Sequence, residues 1–135
     1  SVDVSQMNSE VAHGLKGEAT TIEGEFESLP SRQAAAGGWF SYDLLADPDV
    51  PLTLMCTYRG SGGLLRSFNI LIDGEHVATE TLEYHPSEFL DRAYSLPLSV
   101  TQGKTQITVR FEAREEAIAG SLFDLRLVRD LQNAQ

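Results

Sequence analysis

The chain has 135 residues, 41% hydrophobic and 22% charged, the size and make-up of one folded domain that buries roughly two-thirds of its extended surface without staples. Ten Lys and Arg against twenty Asp and Glu leave a net charge of −10, which repels a phosphate backbone and argues against nucleic acid as a partner. No apolar run approaches the roughly 20 residues that cross a bilayer, so no membrane partner is expected, and the lone Cys56 excludes an intrachain disulfide and any multi-cysteine metal site.

The start, Ser1-Val2-Asp3-Val4, lacks the basic and apolar regions of a signal peptide, and the chain is expected to be a piece of a longer protein. Residues 1–38 have scattered apolar positions and the small-residue stretch Ala34-Ala35-Ala36-Gly37-Gly38, and they predict loops with one or two short strands. From 39 to 129 the main strands follow. Phe40, Tyr42 and Leu44 share one face of a strand that stops at Asp47-Pro48-Asp49-Val50-Pro51, where two prolines interrupt ladder pairing. Leu52, Leu54, Cys56 and Tyr58 then share the face of the next.

Phe68, Ile70 and Ile72 lead into Asp73-Gly74, after which Val77, Thr79 and Thr81 resume the pattern; Asp-Gly between such runs signals a type I′ hairpin. The segment from Pro86 to Ser95 reads equally as a helical turn begun at Ser87 or as a short strand. Ile107, Val109 and Phe111, and later Phe123, Leu125 and Leu127, mark two more half-buried strands. No window keeps a helical apolar period over ten or more residues. The expectation is therefore all-β: one domain over 1–135, an antiparallel β-sandwich of jelly-roll type with about seven to nine strands.

Glycoside hydrolysis needs two carboxylates flanking the scissile bond, a geometry that spacing does not reveal, and the acidic residues read as solvated surface. Asp43, Asp47 and Asp49 fit turn residues better than a calcium loop, although a β-sandwich can hold structural calcium through loop carbonyls that no motif marks. No other cofactor is expected. His13, His76 and His85 lack an i, i+4 partner; His76 reads as exposed, and His13 as making a structural hydrogen bond rather than serving as a ligand. Cys56 reads as an inert core thiol.

Trp39 falls opposite Phe40, Tyr42 and Leu44, so it is outward, at a rim, or covered by the N-terminal segment. Tyr58-Arg59-Gly60-Ser61-Gly62-Gly63, followed by Arg66, is either a plain connection or a loop that brings two guanidinium forks to a ligand.

Several of these residues, in order, carry a resemblance: Ser9-Glu10 with His13, Arg32 with Ala34, Gly37-Gly38-Trp39-Phe40-Ser41-Tyr42, Tyr58 with Gly60-Ser61, Arg66 with Phe68 and Ile70, Asp73-Gly74, and Val109-Arg110-Phe111. Over nearly its whole length the chain resembles the C-terminal β-sandwich domain of bacterial glycoside hydrolases of the β-L-arabinofuranosidase kind. The resemblance implies a galactose-binding-domain-like jelly roll, secreted or periplasmic, beside an α/α-barrel. The reacting groups of such enzymes, a zinc-bound cysteine and glutamates, lie in that barrel, and Cys56 does not inherit the role. Arg59 departs from the family's tryptophan, and Ala113-Arg114-Glu115-Glu116-Ala117 replaces a stretch with His, Pro and Gly.

The expected function is that of a non-catalytic module of a polysaccharide-degrading enzyme, binding carbohydrate such as an arabinose-containing glycan. Trp39 would act as the stacking platform, Arg59 and Arg66 as hydroxyl or uronate partners, and Glu10 and His13 as hydrogen-bonding neighbours. The alternative is a structural domain that packs against the catalytic domain of its parent protein and binds no sugar.

Overall fold

The computed structural model describes residues 1–6, 8–26 and 29–129. In chain order the elements are β1 (Val2–Asp3), α1 (Ser9–Ala12), β2 (Lys16–Phe26), β3 (Leu29–Leu45), β4 (Leu52–Arg59), β5 (Ser67–Ile72), β6 (Glu75–Thr81), β7 (Phe89–Leu96), α2 (Leu98–Thr101), β8 (Gln106–Ala113) and β9 (Ala119–Arg129). The hydrogen-bonded order is β6-β5-β8-β3-β9-β4-β7, with β1 on β9 and β2 on β3, and all the strand pairs are antiparallel. The expected all-β jelly-roll class is what the chain adopts.

β3 joins the two layers. Its first half pairs with β9, Arg32 opposite Leu122 and Ala34 opposite Ala119, and its second half pairs with β8 from Trp39–Glu112 to Leu45–Gln106. Between them the strand turns a corner at Gly37, where φ is 80°, a conformation that costs glycine little. β2 follows the corner with a register slip between Glu18 and Thr20, where Ala19 has φ 53°. One layer is thus β6-β5-β8 with the second half of β3, and the other is the first half of β3 with β9-β4-β7.

The core lies between the layers. Phe40, Tyr42, Leu54, Tyr58, Phe68, Ile70, Ile72, Val109, Phe111 and Leu125 are all completely buried, in the alternation the sequence predicts. Tyr58 of β4 meets Phe68 of β5 edge-on at 5.4 Å, a contact that crosses from one layer to the other. The open side between β6 and β7 is closed by polar groups. The Tyr94 hydroxyl donates to Glu80 at 2.7 Å and shares a 3.0 Å bond with the Tyr58 hydroxyl, while Arg92 reaches Glu80 at 3.5 Å and Glu83 at 2.6 Å.

Asp73 and Gly74 both have positive φ, 49° and 85°, as the predicted type I′ hairpin requires. A bulge between Ile70 and Leu71 then shifts the register, so Thr79 and Thr81 are exposed. The ambiguous segment before Ser95 resolves as strand β7.

Residues 1–38 correct the sequence reading. Instead of loops with one or two short strands they carry β1, α1, the 11-residue β2 and the first half of β3. Over residues 16–23 β2 is largely exposed and is held by its ladder to β3, so no buried apolar face marks it in the sequence. Of the three aspartates that calcium would need, Asp43 and Asp47 are engaged with protein groups. Asp47 accepts the Asp49 amide at 3.0 Å and pairs with Arg129 at 3.0 Å, whereas Asp43 accepts from the Thr108 hydroxyl at 2.7 Å.

Candidate functional site

Three connections gather at one end of the sandwich: residues 60–66 between β4 and β5, 82–88 between β6 and β7, and 114–118 between β8 and β9. Backbone bonds stitch them together. The Ser61 amide donates to the Glu83 carbonyl at 2.7 Å, the His85 amide to Ser61 at 3.0 Å, and the Ile118 amide to Leu65 at 3.0 Å. At Gly60 a Cβ would lie 2.4 Å from the His85 carbonyl oxygen, so this close approach of two loops requires glycine.

Two arginines converge here. Arg66, 7% exposed, donates through Nη1 to Gln33 Oε1 at 3.2 Å and to Ser121 Oγ at 3.3 Å, and Ser121 Oγ donates to Glu23 at 3.2 Å. Its buried Nε has no hydrogen-bond partner among the described residues. Burial lowers the Arg66 pKa, Glu23 opposes that fall, and the nearby positive charge of Arg59 adds to it. Arg59, held by an Nε bond to the Pro86 carbonyl at 3.0 Å, is opposite Phe89 in the β4–β7 ladder. Phe89, 43% exposed, packs edge-on against Phe123 at 5.0 Å.

This end therefore combines two guanidinium groups, a carboxamide, a hydroxyl and an exposed ring. Chemically it brings cationic and polar groups beside a ring that can cover an apolar face.

The other sequence candidates lie elsewhere. Glu10 receives Arg32 in a bidentate pair, Nε at 2.5 Å and Nη2 at 3.1 Å, and also the Tyr42 hydroxyl at 2.5 Å; Arg32 Nη1 adds a 3.0 Å bond to Thr20. Burial first, then the hydrogen bond to Glu10, pushes the Tyr42 phenol far above its usual range. Glu10 is thus engaged inside the fold. Arg32 and Gln33 are successive on β3 and project to opposite sides, which puts Glu10 and Arg66 on opposite sides of the strand.

His13 Nδ1 sits 2.8 Å from the Ser9 carbonyl, and the ring borders a recess of about 470 Å³ with Asp43, Leu45 and Gln106. Trp39 is half-buried on the outer face of the β3–β8 layer, on the side expected, but Arg110 lies over its ring at 4.1 Å from the centroid. The structure therefore brings Arg59 and Arg66 together and leaves Trp39, Glu10 and His13 apart from them. Sequence reasoning missed Glu23, Gln33, Ser121 and Phe89, which come from β2, β3, β9 and β7 and share no motif.

Comparison with solved structures places this sandwich, with its clustered loops, among the folds of carbohydrate-binding modules. A family 35 carbohydrate binding module from an environmental isolate superposes with a TM-score of 0.71 at 12% identity, covering 90% of each chain. A family 35 module solved with a glucuronic acid containing disaccharide gives a TM-score of 0.64 at 16% identity, over 94% of this chain and 91% of that one. The exo-β-1,3-galactanase of Phanerochaete chrysosporium contains a similar domain: TM-score 0.66, 9% identity, 95% of this chain but 29% of the enzyme. At these identities the likeness is one of fold. By sequence, residues 1–128 match a family model, and the chain belongs to that family, the family of unknown function DUF6805. No curated protein matches the sequence.

Proposed function

We propose that this chain is a non-catalytic carbohydrate-binding module whose site is the loop end around Arg59 and Arg66, and that its ligand is a sugar carrying a carboxylate. The observation that carries this is the convergence of two arginines, one almost buried, with Gln33 and Ser121 in a molecule of net charge −10. Such a site concentrates the positive charge of an otherwise repulsive surface where an anionic ring would dock. The glucuronic acid in the complex of a similarly folded module supports the same ligand class. In this reading Phe89 covers a sugar face, and Glu10 and His13 belong to the framework.

The galactanase, in which such a domain is one part of the chain, supports an accessory role in a secreted or periplasmic glycoside hydrolase. The arabinofuranosidase-like sequence pattern points to plant glycans with arabinose or uronate branches. A second reading, a domain that packs against its catalytic neighbour, is favoured by Leu64, Leu65 and Tyr84, which are 63%, 55% and 68% exposed on these same loops.

Affinity gel electrophoresis through pectin, glucuronoxylan, arabinan and arabinogalactan separates the two readings. Retardation by pectin or glucuronoxylan is expected, with Arg59→Ala and Gln33→Ala each weakening it, the arginine change at least about tenfold, as loss of a charge-assisted hydrogen bond implies. Unretarded migration in all four gels would overturn the sugar site and leave the packing domain.

A further inference from the structure

We infer a second carbohydrate-binding surface on the outer face of the β6-β5-β8 layer, fitted to an uncharged oligosaccharide. Its wall shares the 60–66 and 114–118 connections with the arginine end, but neither Arg59 nor Arg66 lines the recess, which opens on the strand face. The recess there measures about 570 Å³, within the size range of small-ligand sites. Its floor is the strand face itself, with Ser67 and Asn69 of β5 and Glu112 of β8; its wall is the 114–117 turn together with Leu65.

The wall is fixed in place. The Ala117 amide closes the turn on the Arg114 carbonyl at 3.0 Å, Glu116 adopts φ 61°, and the Arg114 amide and Nη1 bind the Ser67 carbonyl and hydroxyl at 3.1 and 3.0 Å. The floor presents unused hydrogen-bonding capacity. Thr79 donates to Asn69 Oδ1 at 2.6 Å, which turns the acceptor side of the amide toward protein and leaves its N–H groups without a partner among the described residues. Glu112 takes Arg110 on Oε2 at 2.6 Å, and its other oxygen has no partner among the described residues.

β5 is paired on both sides, by β6 and β8, so a ligand cannot join as an added strand and must be held by side chains. Asn69, Glu112 and Trp39 occupy one row across three strands, and Leu65, 55% exposed, provides an apolar rim. Arg110 pairs with Glu112, and Arg114 and Glu115 add one charge of each sign to the lining. Balanced donors and acceptors beside an apolar rim suit the hydroxyls and ring faces of neutral sugars, whereas an isolated carboxylate would find no surplus cation.

The test is a ¹⁵N-labelled titration of the whole chain with xylohexaose and with α-1,5-arabinohexaose, followed by trigalacturonate as competitor. Saturable shifts are expected at the amides of Ser67, Asn69, Thr81 and Glu112 with at least one neutral sugar. Asn69→Ala and Glu112→Gln, each checked for an unchanged melting curve, should weaken that binding about 3- to 10-fold, the range for one neutral hydrogen bond. Trigalacturonate should not displace the neutral sugar. The inference is overturned if neither hexasaccharide moves those amides, if both folded variants bind as wild type, or if trigalacturonate competes. Trigalacturonate shifts at Arg59 and Ser121 report separately on the arginine end.

Discussion

Glu10 and Arg32 form an ion pair that is mostly hidden from water, with side chains 14% and 10% exposed. Exposed pairs contribute about 0–1 kcal/mol, but removing one partner of a buried pair strands the other charge and costs about 3–5 kcal/mol. Glu10→Ala should therefore lower the unfolding free energy by about 3–5 kcal/mol in urea titrations, because Arg32 and the Tyr42 hydroxyl both lose their acceptor; a loss under about 1 kcal/mol would mean the pair acts as a surface one. The sequence alone suggests Glu10 as a sugar contact. Nothing local signals otherwise, since its partner stands 22 residues away on β3. Arg59 and Arg66 differ in this respect, because they flank one glycine-rich loop and the sequence offers their approach as one of two readings of it.

Among the elements, β3 decides the architecture. The corner depends on two glycines for different reasons. Gly37 has positive φ with open space around it, whereas a Cβ on Gly38 would lie 2.5 Å from the Glu18 carbonyl oxygen and 2.9 Å from Ala19 Cβ. Backbone cannot yield as a side-chain tip does, so Gly38→Ala should destabilise the fold by about 1–3 kcal/mol, the typical cost of overpacking. Unchanged thermal unfolding of that variant would show that β2 can move off the corner freely. The Gly-Gly pair is visible in the sequence, but its meaning is not. It reads as a place of poor packing, and only the pairing of the two halves of β3 with β8 and β9 makes it the passage between layers. β2 was hidden for the related reason that its ladder, not an apolar face, holds it.

For the whole molecule, the two layers enclose one core, and Cys56 reports on its opening. The thiol is buried, and burial pushes its pKa up to about 12, so at pH 8 it is neither accessible nor ionised. Iodoacetamide should leave the native protein unlabelled while modifying the urea-unfolded chain, and slow native labelling should track the population of the globally unfolded state. Labelling much faster than that would reveal a local separation of β4 from the core. The seam between β6 and β7, closed by Tyr58, Tyr94, Glu80 and Arg92, is the place where such a separation would start.

By itself, the sequence determined the strands with one buried face, the Asp73-Gly74 hairpin, the side of β3 on which Trp39 lies and the inert setting of Cys56. Each depends on neighbours within a few residues, through the two-residue period of a strand or the φ values of a turn. Tertiary structure alone decided that β3 serves both layers, that Glu10 is engaged with Arg32 and that Arg110 covers Trp39. It also assembled Glu23, Gln33 and Ser121 around Arg66, and Asn69 and Glu112 in one row. These relations join residues tens of positions apart through strand order and register, and no local period or turn preference encodes which strands become neighbours.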